Sequence, residues 1–321
     1  MKDIKKIAVL TSGGDAPGMN CAIRSVTRFA VYKKLDVIGV ARGFHGLIDK
    51  EFQSLTSRSV SNIISRGGTI LKTARSNEFL KKEYREKAYH NLIEDKIDAL
   101  VIIGGNGSFN GAFVFNQEFD FPVAGIPGTI DNDVSGTQRT LGFDTALNTA
   151  MDAIDKIKDT ATSMDRIFII EVMGKSSGAI AVYSALSGGA EDIIIPNEPP
   201  QVAKIIKKIE QGRIKGKRSW IIIVAEGAAK AENLAKEFRE FVSDVRVAVI
   251  GHIQRGGVPS AFDRFLGAIM GKTAVEALLN GKAQHVVGWA KDKTIVYPLK
   301  EAIQPKKEDF TSLYELIHIL T

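Results

Sequence analysis

The chain has 321 residues, 44% hydrophobic and 25% charged, with 43 Lys and Arg against 37 Asp and Glu, a formal charge of 43 − 37 = +6. That length suits about two domains with sizeable cores, and the composition excludes collagen-like, disordered and disulfide-stapled chains. A single thiol, Cys21, cannot close an internal disulfide, and no apolar run approaches the roughly 18 residues of a membrane span.

The segment from Met1 to Ile7 enters a strand pattern directly, without a signal-peptide apolar core. Ile7-Ala8-Val9-Leu10 leads into the turn Thr11-Ser12-Gly13-Gly14-Asp15. Ala99-Leu100-Val101-Ile102-Ile103 leads into Gly104-Gly105-Asn106-Gly107-Ser108, and Val123-Ala124-Gly125-Ile126 into Pro127-Gly128-Thr129-Ile130-Asp131. Further apolar runs lie at 167–170, 193–195, 221–224 and 247–250. They are rich in β-branched residues and do not alternate with polar ones, the pattern of strands buried on both faces of a parallel sheet. Helical faces alternate with them: Leu147, Met151, Ile154 and Ile157; Val202, Ile205, Ile206 and Ile209; and Phe265, Leu266, Ile269 and Met270, closed by Asn280-Gly281. Phe262 and Phe265 read as core. The fold class is therefore α/β, with helices on both faces of the sheets and two lobes sharing a cleft.

In such folds ligands bind beyond the C-terminal ends of the strands. The three glycine turns occupy that position, where backbone approaches a ligand closely and a helix N-terminus offers N–H groups to phosphate. None has the spacing of a Walker A loop or of GxGxxG. In 128–133, Asp131 and Asp133 suit a base and a metal-directed acid for phosphoryl transfer. The bland alternative is an Asx-rich turn whose acids cap the next helix. Cations stand near other turns: Arg75, Arg166, Lys175, and His252 with Arg255 inside Gly251–Gly257. The five histidines lack metal-ligand spacing, and the basic residues are dispersed, so nucleic acid and membrane are not expected partners.

Residues 10–20 (Leu10-Thr11-Ser12-Gly13-Gly14-Asp15-Ala16-Pro17-Gly18-Met19-Asn20) carry a resemblance, with Pro127–Asp133, Glu171-Val172-Met173-Gly174 and Gly251-His252-Ile253-Gln254-Arg255-Gly256-Gly257. Together they resemble the bacterial type of ATP-dependent 6-phosphofructokinase over essentially the whole chain. The resemblance implies two Rossmann-like domains, an ATP-binding one (1–142 with 254–304) and a fructose 6-phosphate-binding one (143–253 with 305–321). It also implies a homotetramer with active sites shared between subunits, while the lone thiol and the lack of a signal-peptide core lead to the expectation of a cytoplasmic protein. Asp131 would be the base, with Thr129 beside it and Arg75 on the transferring phosphate. Gly13, Gly105, Asn106, Gly107 and Ser108 would meet ATP, and Asn106 with Asp133 would serve Mg²⁺. Met173, Gly174, Lys175, Glu226, His252 and Arg255 would hold the sugar phosphate, joined by Arg166 and Arg246 from a neighbouring subunit. An effector site for ADP or phosphoenolpyruvate would use Arg24, Arg28, Lys158, Glu191, Lys215 and Lys217.

Some positions depart from the family pattern. Asn106 stands where the family has Asp, Lys175 and Lys158 where it has Arg, and Ser57-Arg58 where it has Arg-Tyr. Gly107 and Gly128 stand where pyrophosphate-using relatives carry an acid and a lysine. Those side chains would occupy the space of the ATP α-phosphate; the two glycines are expected to leave it open, so ATP is favoured over pyrophosphate. Phe44 offers either a surface for adenine or core packing. Two alternatives stay open: a metal-impaired sensor that binds both substrates, and a relative with another donor or phosphosugar.

Overall fold

The computed structural model describes residues 4–196 and 200–321, so the predicted strand entry at 1–3 lies outside the described residues. The chain divides into two compact units, Met1–Thr145 with Arg255–Lys306, and Ala146–Gln254 with Lys307–Thr321. The first begins β1 (Lys6–Ser12), α1 (Met19–Tyr32), β2 (Asp36–Val40), α2 (Gly43–Ile48), β3 (Phe52–Leu55) and α3 (Lys82–Glu94). It continues through β4 (Ala99–Gly104), α4 (Asn106–Phe119) and β5 (Val123–Pro127). Helix α5 (Phe143–Ser163) leads into the second unit, with β6 (Ile167–Val172), α6 (Ala179–Gly188), β7 (Asp192–Ile194), α7 (Val202–Ile214), β8 (Trp220–Ala225), α8 (Ala231–Arg239) and β9 (Val245–Val249). The chain returns through α9 (Ala261–Leu279), β10 (Gln284–Ala290), β11 (Lys293–Pro298) and α10 (Leu299–Ala302), and ends with α11 (Thr311–Ile319) in the second unit. Among the described residues no helix is long and apolar enough to cross a membrane.

The first unit holds a seven-stranded sheet, β11-β10-β5-β4-β1-β2-β3, and the second a four-stranded sheet, β7-β8-β6-β9. The smaller sheet is wholly parallel; the larger is parallel except for its two edge strands. Every predicted apolar run became a strand, and β4 is buried at each residue because helices cover both faces. The runs missed β2, β3, β10 and β11. Gly39 and Gly288 interrupt the apolar content of β2 and β10, while β3 and β11 are edge strands with mostly exposed or half-buried residues.

Phe265 does not point inward as expected; it is 50% exposed, with its ring edge-on to Trp289. Phe262 is half-buried against the same Trp289. Phe44 settles as core: it is 6% exposed and stacks on Phe79 at 4.1 Å, leaving no open face for adenine.

Helix α5 is started by a residue from α9. Asp263 is fully buried and accepts hydrogen bonds from Gly142 N (2.8 Å), Thr145 N (2.8 Å) and Thr145 Oγ1 (2.5 Å). In turn, Ser260 Oγ caps α9 by accepting from Asp263 N. Burial pushes the Asp263 carboxyl from its ordinary 3.8 up to about 6, against those hydrogen bonds. A folded-state pKa raised in this way contributes stability that is full below the unfolded value and lost as pH rises through about 6. The urea midpoint of the native chain is therefore expected to fall between pH 4.5 and 7, and Asp263→Asn to flatten that slope. Parallel slopes in both proteins would refute the assignment. The single thiol, Cys21, is structural: it is buried, donates to Ile64 O, and is pushed up to about 11 by burial.

Candidate active site

Sheet register gathers the three glycine turns of the first unit. Ser12 pairs with Gly104 and Gly104 with Pro127, so the turns after β1, β4 and β5 leave one edge side by side. Gly13 takes φ 86°, and a Cβ there would lie 3.3 Å from Ser108 Oγ. Thr73 Oγ1 donates to Gly13 O (2.5 Å), which ties the segment carrying exposed Arg75 to the first turn. Arg255 lies over the same turn, its Nη1 4.0 Å from Asp15 Oδ1.

The second turn is a helix start. Gly105 is the N-cap of α4 and has no side chain, so the first-turn N–H groups at Asn106, Gly107 and Ser108 have no side-chain cap. Such an end attracts phosphate. A Cβ on Gly107 would meet nothing within 4 Å, which keeps the approach open. Gly128 differs from the expectation: its Cβ would point at Ile103 Cγ2 (2.9 Å) and Met19 Cε (3.1 Å). Glycine at 128 serves packing beneath the turn, and of the two positions it is Gly107 that faces open space.

The third turn does not feed a helix. α5 begins only at Phe143 and is capped by Asp263, so the helix-capping reading of Asp131 and Asp133 fails. Instead the turn is braced around its carboxylates. Thr129 Oγ1 donates to Asp131 Oδ2 (3.2 Å) and accepts from Asp131 N. Thr140 Oγ1 donates to Thr129 O (2.7 Å), Thr140 N to Asn132 Oδ1 (3.0 Å), and Lys306 Nζ to Asn132 O (2.6 Å). Asp131 is 1% exposed. Asn106 Nδ2 donates to Asp133 Oδ2 (2.9 Å) and to Asp133 O (3.2 Å). The Asn106 Oδ1 atom is buried with no hydrogen-bond partner among the described residues. No cluster of three or more His, Cys, Asp or Glu suited to a metal occurs among them. One carboxylate beside one orphaned carbonyl oxygen fits a hydrated magnesium ion that takes its other ligands from phosphate and water.

In the second unit, register again brings strand ends together, Val172 with Ala225 and Glu171 with Val249. Glu226 Oε1 accepts from Gly174 N (3.2 Å) and Lys175 N (3.0 Å), and Gln254 Oε1 from Met173 N (2.8 Å). Lys175 and His252 are exposed on this edge. Arg166 precedes β6, and Arg246 pairs with Phe168. Both therefore lie at the other end of the sheet, roughly 20 Å from Met173 at about 3.3 Å per residue. Within one chain the sheet does not bring them to Met173–Lys175. Gln254, Lys306 and Thr140 join the site only in the structure: Gln254 lies within the Gly251–Gly257 motif, whereas nothing local in the sequence marks Lys306 or Thr140.

Among the effector candidates, Arg24 and Arg28 share α1, and Arg28 Nη2 donates to Ser57 O (3.2 Å). In the second unit Lys217 Nζ pairs with Glu191 Oε1 (2.9 Å), and Glu191 Oε2 accepts from Ile221 N. Lys158 Nζ donates to Gly188 O (3.0 Å) at the end of α6, while Lys215 is exposed.

The family model described as phosphofructokinase matches residues 6–278. A protein of Thermotoga neapolitana named ATP-dependent 6-phosphofructokinase is 49% identical over 319 residues, covering 99% of this chain and 100% of its own length. One of Bacteroides thetaiotaomicron named ATP-dependent 6-phosphofructokinase 2 is 48% identical over 328 residues, with 99% and 100% covered. The solved phosphofructokinase of Saccharomyces cerevisiae superposes with a TM-score of 0.89 at 36% identity, over 93% of this chain and 45% of that one. With full-length identity near one half, a matching family model and the same fold, this chain belongs to the phosphofructokinase family.

Proposed function

We propose that this chain transfers the γ-phosphoryl group of ATP to the 1-hydroxyl of fructose 6-phosphate, giving fructose 1,6-bisphosphate and ADP in glycolysis. The observation that carries this reading is the buried Asp131 at the same sheet edge as the open start of α4, in a chain similar throughout to enzymes so named. The ATP phosphates would lie against the Gly13 turn and the N–H groups of Asn106, Gly107 and Ser108, where the helix dipole favours negative charge. Asp131 would accept the hydroxyl proton as the oxygen–phosphorus bond forms and the bond to ADP breaks. Thr129 orients that carboxylate, and Arg75 offsets charge on the moving phosphoryl group. Asp133 and Asn106 would hold Mg²⁺, directly or through water; the ion neutralises phosphate charge when bound.

Met173, Gly174, Lys175, Glu226, His252 and Arg255 would bind the sugar phosphate, with Glu226 also tying the loop in place. Arg166 and Arg246 would serve a neighbouring subunit, which makes a homotetramer part of the catalytic design. Arg24, Arg28, Lys158, Glu191, Lys215 and Lys217 would take an anionic effector, ADP or phosphoenolpyruvate, in a cytoplasmic enzyme. Open space at Gly107 supports ATP over pyrophosphate as donor.

Steady-state transfer from ATP or pyrophosphate to fructose 6-phosphate, with Mg²⁺ titrated, tests the reading. Saturable turnover with ATP is expected. Turnover with pyrophosphate alone would overturn the donor. Ligand binding without transfer at any Mg²⁺ concentration would favour a sensor.

A further inference from the structure

The turn that carries Met173, Gly174 and Lys175 holds a shape its own chain does not favour. Gly174 takes φ 135° and Lys175 φ 48°. A lysine keeps a left-handed conformation only where its surroundings over-determine it. One constraint is Glu226, which accepts from Gly174 N and Lys175 N. The turn also closes on itself, because Ser177 N donates to Gly174 O (2.9 Å). Where the end of the turn stands is then set by what holds Ser177.

Ser177 is held by a residue 131 positions away. Its buried hydroxyl accepts from Ala179 N (3.1 Å) at the start of α6 and gives its one proton to Glu308 Oε2 (2.8 Å). Hydrogen bonds to a carboxylate are among the stronger ones. Glu308 belongs to the same unit as Ser177, in the segment that leads into α11. Phe310 fixes that segment over the same backbone, its ring 3.5 Å from where a Cβ on Gly178 would stand. Near the end of α11, Lys208 Nζ donates to His318 Nδ1 (3.0 Å) and pairs with Oδ2 of the buried Asp192 (2.8 Å). Glu308 is thus anchored, and an acid has the wrong charge to meet a phosphate itself. Its effect on an anion would pass through Ser177.

We propose that Glu308 is a positioning residue for sugar-phosphate binding: through the Ser177 hydroxyl it fixes the end of the Gly174–Lys175 turn, complementing the bonds to Glu226. This deepens the proposed function and rests on it for the ligand of that turn.

The test compares Glu308→Ala with the native full-length chain, first by amide hydrogen exchange without ligands and then by kinetics. Exchange across 173–177 is expected to rise about tenfold in Glu308→Ala, while β6 stays as protected as before. KM for fructose 6-phosphate should rise about fivefold, with kcat and KM for ATP within about twofold of native. Glu308→Gln should behave as native, because its amide oxygen still accepts from Ser177 Oγ. Adding Glu308→Ala to Ser177→Ala should change nothing further, since the shared bond is already gone. Native exchange across 173–177 in Glu308→Ala would overturn the inference, and so would raised exchange with an unchanged KM for the sugar phosphate. Glu308→Gln as impaired as Glu308→Ala, or additive effects in the double variant, would refute the bond to Ser177 as the cause. Should Glu308→Ala fail to fold, Glu308→Asp decides: it keeps the charge and draws the acceptor back by one methylene, and native exchange with native KM in it would refute the role. The exchange reading needs no substrate, so a native chain that binds no fructose 6-phosphate would count against the proposed function, while exchange still judges Glu308.

Discussion

Asp131→Asn is expected to lower kcat roughly 10³-fold, within the range attributed to a positioned general base. The amide has nearly the same shape, and Thr129 Oγ1 can still donate to its oxygen, so the braced turn should persist. The bonds from Thr140 and Lys306 do not involve the Asp131 side chain. KM for ATP and for fructose 6-phosphate should therefore stay within about threefold, the signature of an interaction used in the transition state rather than in binding. Steady-state kinetics together with an unchanged melting temperature would establish it. A kcat within tenfold of the native value would remove Asp131 from the role of base.

Gly227→Ala should act on substrate binding instead. Gly227 follows Glu226 in the turn after β8 and is itself exposed, so bulk is not the obstacle. Direction is: a Cβ there would lie 1.9 Å from Lys175 O, 2.8 Å from Lys175 C and 3.3 Å from Ser176 Cα, all backbone atoms. The 174–176 loop must then move off, which pulls Gly174 N and Lys175 N from Glu226 Oε1. Hydrogen bonds to a charged group are worth about 1.5–3 kcal/mol each, and about 1.4 kcal/mol is tenfold in affinity. KM for fructose 6-phosphate is expected to rise at least tenfold, on the order of the loss of one such bond. KM for ATP should hold, because the Gly13 and Gly107 turns belong to the other unit. Unchanged KM for the sugar phosphate would show that Met173–Lys175 does not bind it.

The central strands were legible because burial on both faces leaves an unbroken apolar run, as in β4 and β8. Where burial is one-sided or a glycine intervenes, as in β2, β3, β10 and β11, the local pattern is too thin to separate strand from loop. Phe265 shows the same limit on a helix: periodicity groups it with Leu266 and Met270, but the face it occupies is 50% exposed. Gly128 shows it at a turn, because only packing reveals that its missing side chain would enter Ile103 rather than ligand space.

By itself the sequence determined the α/β class and the family, and it marked the turns proposed to carry chemistry, since glycine, acid and cation in short order are local facts. Tertiary structure alone decided which turns meet and what braces them. Register across parallel strands sets Ser12, Gly104 and Pro127 in one row, joining segments more than a hundred residues apart. Lys306 reaches the carbonyl of Asn132 from the far end of the chain, and the Asn106 amide finds Asp133. These partners are chosen by position in space, and hydrogen bonds between distant residues leave no periodic trace along the chain.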